Sequence, residues 1–125
     1  MIITSVQIRD TKTGTRLEGV ASVTFDDMMV IHDIKIISNA EGGCFLAMPS
    51  RKLPNGTFTD IAHPISREAR GALENIIISC FGCMRGSGLP NMNLRLGMNN
   101  TKKCMTEQVF EDFEVVQDVK AESYA

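Results

Sequence analysis

Met48-Pro49-Ser50-Arg51-Lys52-Leu53-Pro54-Asn55-Gly56-Thr57-Phe58-Thr59-Asp60-Ile61-Ala62-His63-Pro64-Ile65 divides this chain into two kinds of sequence. Upstream of it, apolar residues recur at every second position. Downstream they recur with the 3.6-residue period of a helix. The stretch holds three of the four prolines, a basic pair and one of the two histidines. Proline presets φ and Asn-Gly tolerates positive φ, so Pro54-Asn55-Gly56 is a turn signal. Pro49 lacks a ladder donor and ends the short apolar run 44–48 as a strand. Residues 57–62 resume as a strand, and His63-Pro64 ends it.

Working toward the N-terminus, residues 28–37 are rich in β-branched side chains, and 17–25 alternate with Leu17, Gly19, Ala21, Val23 and Phe25 on one face. The connection between these two runs is only Asp26-Asp27, which predicts a hairpin. Residues 2–9 alternate as well, with Ile2, Thr4, Val6 and Ile8 expected on one face. Three antiparallel strands in succession make a meander.

Working toward the C-terminus, Ser66 is placed to cap a helix. Ala69, Leu73, Ile76, Ile77, Cys80 and Phe81 then form one apolar stripe. Arg67, Arg70, Glu74, Asn75 and Ser79 occupy the polar face. Gly82 and the run Arg85-Gly86-Ser87-Gly88-Leu89-Pro90 are expected to break that helix. Val109, Phe110, Phe113 and Val116 are spaced for a second helix starting at Thr106, while Val115-Val116 also suits a strand. The fold class expected is therefore α+β: a twisted antiparallel sheet of about five strands, then one packed amphipathic helix. The expected division is an α+β domain over 1–82, then a Gly-rich basic linker and acidic extension over 83–125.

The net charge of −2 is no signature of a bulk polyanion binder, but the charges are segregated. Residues 84–103 carry four basic side chains (Arg85, Arg95, Lys102, Lys103) and no acid. Residues 105–125 carry one basic residue, Lys120, against six acids. Arg51-Lys52, in a loop between a proline-terminated strand and a turn, can present two cations to phosphates. Arg67 and Arg70 lie near the positive end of a helix dipole, where they weaken the helix and favour an anion. Arg70 also stands at i,i+4 from Glu74.

Other chemistries are less well supported. His32 and Asp33 are strand neighbours and point to opposite faces, and Asp60 and His63 diverge similarly, so both pairs are expected to serve turns and strand ends. Cys80-Phe81-Gly82-Cys83 is a single CxxC whose first member belongs to the helix stripe. Cys104 and Cys44 could add ligands, but no second CxxC exists. No metal, cofactor or small-molecule substrate is expected. No nucleophile elbow, P-loop or dinucleotide fingerprint occurs, so no enzyme is expected either. No apolar run approaches the roughly 20 residues of a membrane span. Residues 1–7 read as strand with no basic leader, so a cytoplasmic protein with reduced thiols is expected.

Four blocks carry a resemblance: 2–9 at the start, Val30-Ile31-His32-Asp33-Ile34-Lys35-Ile36-Ile37, Phe45-Leu46-Ala47-Met48-Pro49-Ser50-Arg51-Lys52, and Asp60-Ile61-Ala62-His63-Pro64-Ile65. Together they resemble the stage V sporulation protein G family of septation-associated regulators, over residues 1 to about 80. The resemblance implies a bacterial cytoplasmic homodimer that binds DNA, and secondarily RNA, and regulates gene expression, septation or sporulation. Arg51, Lys52, Arg67 and Arg70 are the expected nucleic-acid contacts. The competing expectation is a protein-interaction module that docks a partner through a sheet edge or its acidic tail.

Overall fold

The computed structural model describes residues 1–100 and 102–116. Its strands are β1 (Ile3–Asp10), β2 (Leu17–Phe25), β3 (Met29–Ser38), β4 (Cys44–Ala47), β5 (Ser50–Lys52), β6 (Phe58–Asp60), β7 (Asn91–Leu96) and β8 (Phe113–Val115). One α-helix, α1 (Arg67–Gly86), stands between β6 and β7, and 3-10 turns span Met105–Glu107 and Phe110–Asp112. The described residues form one six-stranded antiparallel sheet, ordered β4-β3-β2-β1-β7-β8, and a separate β5-β6 hairpin. The α+β class and the meander follow the sequence pattern.

Register shifts set the strand parities, and besides one between Leu17 and Gly19, two bear on residues singled out above. A register shift between Ile3 and Ser5 flips β1, so Ile3, Val6 and Ile8 face the core and Ile2 is only half-buried. The expected face of Ile2, Thr4, Val6 and Ile8 is corrected by that one extra residue. A second shift, opposite Ser22, leaves His32 and Asp33 facing a single partner residue and holds Asp33 at φ 60°. Asp26 and Asp27 both adopt φ 53° in the β2–β3 turn. Ties to the sheet offset that strain: Asp26 accepts from the Ile2 amide at 2.9 Å, and Asp27 holds Arg95 at 3.1 Å.

Ser66 caps α1, its hydroxyl accepting from the Ala69 amide at 3.1 Å. Leu73, Ile76, Ile77, Cys80, Phe81 and Met84 are buried against the sheet. Gly19 lets the helix approach β2: a Cβ there would lie 2.8 Å from the Phe81 ring. Gly82 faces open space and does not end the helix, which therefore runs past the expected boundary at residue 82. The Gly86-Ser87-Gly88 run ends the helix, as the sequence pattern expects, and does so with a defined terminus. Gly88 sits at φ 70°, its amide donating to Arg85 O at 3.0 Å while the Leu89 amide donates to Met84 O at 3.3 Å. Those two bonds are the Schellman pattern.

The extension completes the sheet. β7 pairs with the outer edge of β1, and β8 pairs with β7. The expected second helix from Thr106 is replaced by the two 3-10 turns and β8. Two effects account for this. β7 offers unpaired backbone groups that a strand can satisfy, and Val115-Val116 favours extended backbone. Only Phe113 of the expected apolar face is fully buried, while Val109, Val115 and Val116 stay exposed. Asp118, Lys120 and Glu122 of the acidic tail lie outside the described residues.

Candidate nucleic-acid interface

β4 stops before Pro49, and the chain leaves the main sheet to form the β5–β6 hairpin. Its base is closed by the Ile61 amide donating to Pro49 O at 2.7 Å. Its tip is closed by Gly56 N–H to Leu53 O at 2.9 Å and Leu53 N–H to Thr57 O at 2.7 Å. Gly56 lies at φ 90°, as the turn signal requires. The Asn55 carboxamide oxygen accepts from the Thr57 amide at 3.0 Å and the Thr57 hydroxyl at 2.7 Å, fixing the tip further.

Pairing within the hairpin is Ser50 with Asp60, Arg51 with Thr59 and Lys52 with Phe58. Because successive strand residues alternate, Arg51 and Lys52 project from opposite faces of this ribbon. Both are exposed, and neither side chain makes a hydrogen bond or ion pair among the described residues. Arg67, in the first turn of α1, is exposed and equally free of protein partners among the described residues. Arg70 is placed differently. Its guanidinium donates to Leu46 O at 3.0 Å and lies 3.8 Å from Glu74, so it ties α1 to the edge strand β4. Leu46 is four positions before Ser50, and Ile65 leads directly into the Ser66 cap. Both ends of the hairpin therefore meet the start of α1.

Of the four cations in residues 84–103, two are engaged in the fold. Arg85 bridges Asp10 at 3.3 Å and Glu18 at 2.8 Å, and stacks 4.5 Å from the Phe81 ring centroid. Burial pushes the Asp10 carboxyl up, but the Arg85 hydrogen bond, the Lys12 amide and their charges outweigh it and hold the group below its ordinary value. Arg95 engages Asp27. Lys102 and Lys103 are exposed.

The histidines take local roles. His63 Nδ1 lies 2.9 Å from Pro64 O, and since a carbonyl only accepts, that nitrogen carries the proton. His32 Nδ1 lies 2.9 Å from Ser22 Oγ. The four cysteines are free thiols. Burial, with Cys83 nearby, pushes the Cys80 thiol up to about 12, so it packs as a small hydrophobe and offers no thiolate. Among the described residues no three His, Cys, Asp or Glu side chains are grouped to hold a metal ion. No helix among them is long and apolar enough to cross a membrane.

Two aromatic rings stand outside the core. Phe45 is 42% exposed on β4, and Phe58 is 69% exposed on β6. The signal lay in the flanks: Phe58 stands between Thr57 and Thr59, so its short strand has no second apolar residue to define a buried face.

A family model described as SpoVG matches residues 1–82. This chain belongs to the SpoVG family. Relatives bearing the name of a candidate septation protein, SpoVG, include one from Acholeplasma laidlawii, 48% identical over 81 residues, covering 65% of this chain and 85% of the relative. One from Finegoldia magna is 54% identical over 79 residues, covering 63% and 72%. One from Caldicellulosiruptor bescii is 44% identical over 88 residues, covering 70% and 99%. The SpoVG match thus takes in the meander, the hairpin and most of α1. It ends before β7 and β8.

Proposed function

We propose that this chain is a nucleic-acid-binding regulatory protein acting as a homodimer in the cytoplasm, in septation or sporulation, with Arg51, Lys52 and Arg67 as its phosphate contacts. The observation that carries the reading is the projecting hairpin. It presents two cations whose side chains have no protein partner among the described residues, and no acid occurs between Cys44 and Thr59. Arg67 adds an exposed cation in the first turn of α1, into which the hairpin's C-terminal end leads, and Arg70 positions that turn against β4. Membership of the SpoVG family and the septation name of its relatives support the cellular context. Phosphate contacts supply affinity rather than sequence information, so DNA and RNA are both within reach of this surface. A dimer doubles the cations to about six, enough for a log–log salt slope of about −5 on duplex DNA.

Titration of labelled duplex DNA, single-stranded DNA and RNA at two salt concentrations tests this. Arg51→Glu with Lys52→Glu should abolish binding at unchanged melting temperature. Wild-type affinity and salt slope in that double variant would exclude the hairpin as a contact. A competing reading, docking of a protein partner through a sheet edge, draws on the exposed Phe45 of edge strand β4. It predicts binding that changes little with salt.

A further inference from the structure

We infer that Phe58 is a base-stacking residue and that the ligand of the hairpin is a single-stranded nucleic acid. This deepens the nucleic-acid reading above and rests on it. Phe58 is 69% exposed on a strand outside the main sheet, so the core closes without it. It stands directly opposite Lys52 in the antiparallel pair. Directly opposed side chains share a face, with Cβ atoms about 5 Å apart. An aromatic ring and an ammonium group are therefore displayed side by side. A nucleotide offers the matching pair, a flat base and a phosphate beside it. Arg51, on the other face of the same ribbon, is available to a neighbouring phosphate. The one acid on the Phe58 face is Asp60, opposite Ser50 at the base of the hairpin and about 7 Å farther along the strand.

The inference selects single strands because a duplex keeps its base faces stacked on one another, while an unpaired strand leaves them open to an aromatic platform. The competing occupant is an apolar surface of a second copy, since Ile61 and Ile65 are also exposed in the segment leading to α1. Those side chains have no π-face, and neither is paired with a cation. The Lys52 partnership favours the nucleotide.

The test uses the full chain. Phe58→Leu keeps an apolar side chain and every charge, and should lower single-strand affinity on the order of tenfold to a hundredfold relative to duplex affinity. The salt slope should stay unchanged. Phe58→Trp should restore the ratio. Since the chain contains no other tryptophan, its emission reports directly on the site and should be quenched by the single strand and not by the duplex. Unchanged single-strand affinity in Phe58→Leu, or equal loss on both ligands, overturns the inference and leaves the phosphate reading standing. A shift of oligomeric state on sedimentation overturns it in favour of a contact between copies. Wild-type protein that binds neither ligand at low salt overturns both readings.

Discussion

Gln108→Ala tests the claim that the extension is part of the fold rather than an appendage. The Gln108 carboxamide is buried and grips one residue of β1 from both sides. Its Oε1 accepts from the Ile3 amide at 2.8 Å, and its Nε2 donates to Ile3 O at 2.8 Å. The side chain thus stands in for a strand neighbour at the bulged start of β1. Ile3 is 0% exposed, so truncation strands a buried N–H and a buried C=O together. Each such group costs about 1–3 kcal/mol, which makes the expected loss about 3 kcal/mol or more. That is a large share of the ~5–15 kcal/mol that stabilises a domain. In a chain this long it should lower the melting temperature by about 10 °C or more. Urea and thermal unfolding followed by circular dichroism would measure it, with the urea m-value unchanged. Gln108→Glu sharpens the test. As a carboxylate it accepts from the Ile3 amide but repels the Ile3 carbonyl. Once protonated, it donates to that carbonyl and mimics the amide. Its folded pKa is therefore raised, and the rescue is full below the unfolded value of about 4.3 and lost as pH rises through the folded value. A Gln108→Ala protein melting within about 2 °C of wild type would refute the reasoning, because two unpaired buried groups cannot cost that little.

Other expectations follow from the same structure. Ile76→Asp places a carboxylate at a position 1% exposed under the sheet and should cost about 4 kcal/mol or more, read as loss of near-ultraviolet dichroism or of soluble protein; a wild-type melting curve would mean the α1 stripe is not a core face. Asp10→Asn removes a partner of Arg85 whose side chain is 45% exposed, so the loss at neutral pH should stay below about 1 kcal/mol. Because the folded Asp10 pKa is lowered, that contribution is present above the ordinary value of 3.8 and lost as pH falls through the folded value; a wild-type advantage that persisted at the lowest pH would contradict the ion pair as its source.

The parts of the fold legible in the sequence are those whose partners are neighbours in the chain. β2 and β3 are joined by two aspartates and a methionine, so alternation and turn chemistry point to one answer. The Ser66 cap and its stripe are legible for the same reason. β7 is not legible although Met92, Leu94 and Leu96 alternate, because three apolar residues in a polar stretch do not say which edge they will meet. The deciding partner, β1, lies more than 80 positions away. Gly86-Ser87-Gly88 marks where the helix ends but not how: glycine suits both a flexible linker and a left-handed helix terminus, and only the bonds from Gly88 and Leu89 tell them apart. In the site, residue types were legible and directions were not. That Arg51 and Lys52 diverge depends on β5 existing as a strand, and that Arg70 is held by Leu46 depends on the packing of α1 on β4.

The extension also constrains how two copies can meet. The outer edge of β1 is the natural pairing site in a sheet that ends with α1, and here β7 occupies it from Ser5 to Arg9. The Caldicellulosiruptor bescii relative is 99% covered by an 88-residue match, so little of its length remains to supply two further strands. Any contact that a short relative builds along that edge is closed in this chain by its own residues. A homodimer here is left other surfaces, among them the outer edge of β4, the three-residue edge strand β8, the open face of the sheet, the exposed face of α1 and the hairpin itself. The hairpin would compete directly with nucleic acid, since its cations and Phe58 cannot face a protein and a phosphodiester strand together. Doubling the cations through a dimer is therefore compatible with the proposed function only if the copies join away from β5 and β6.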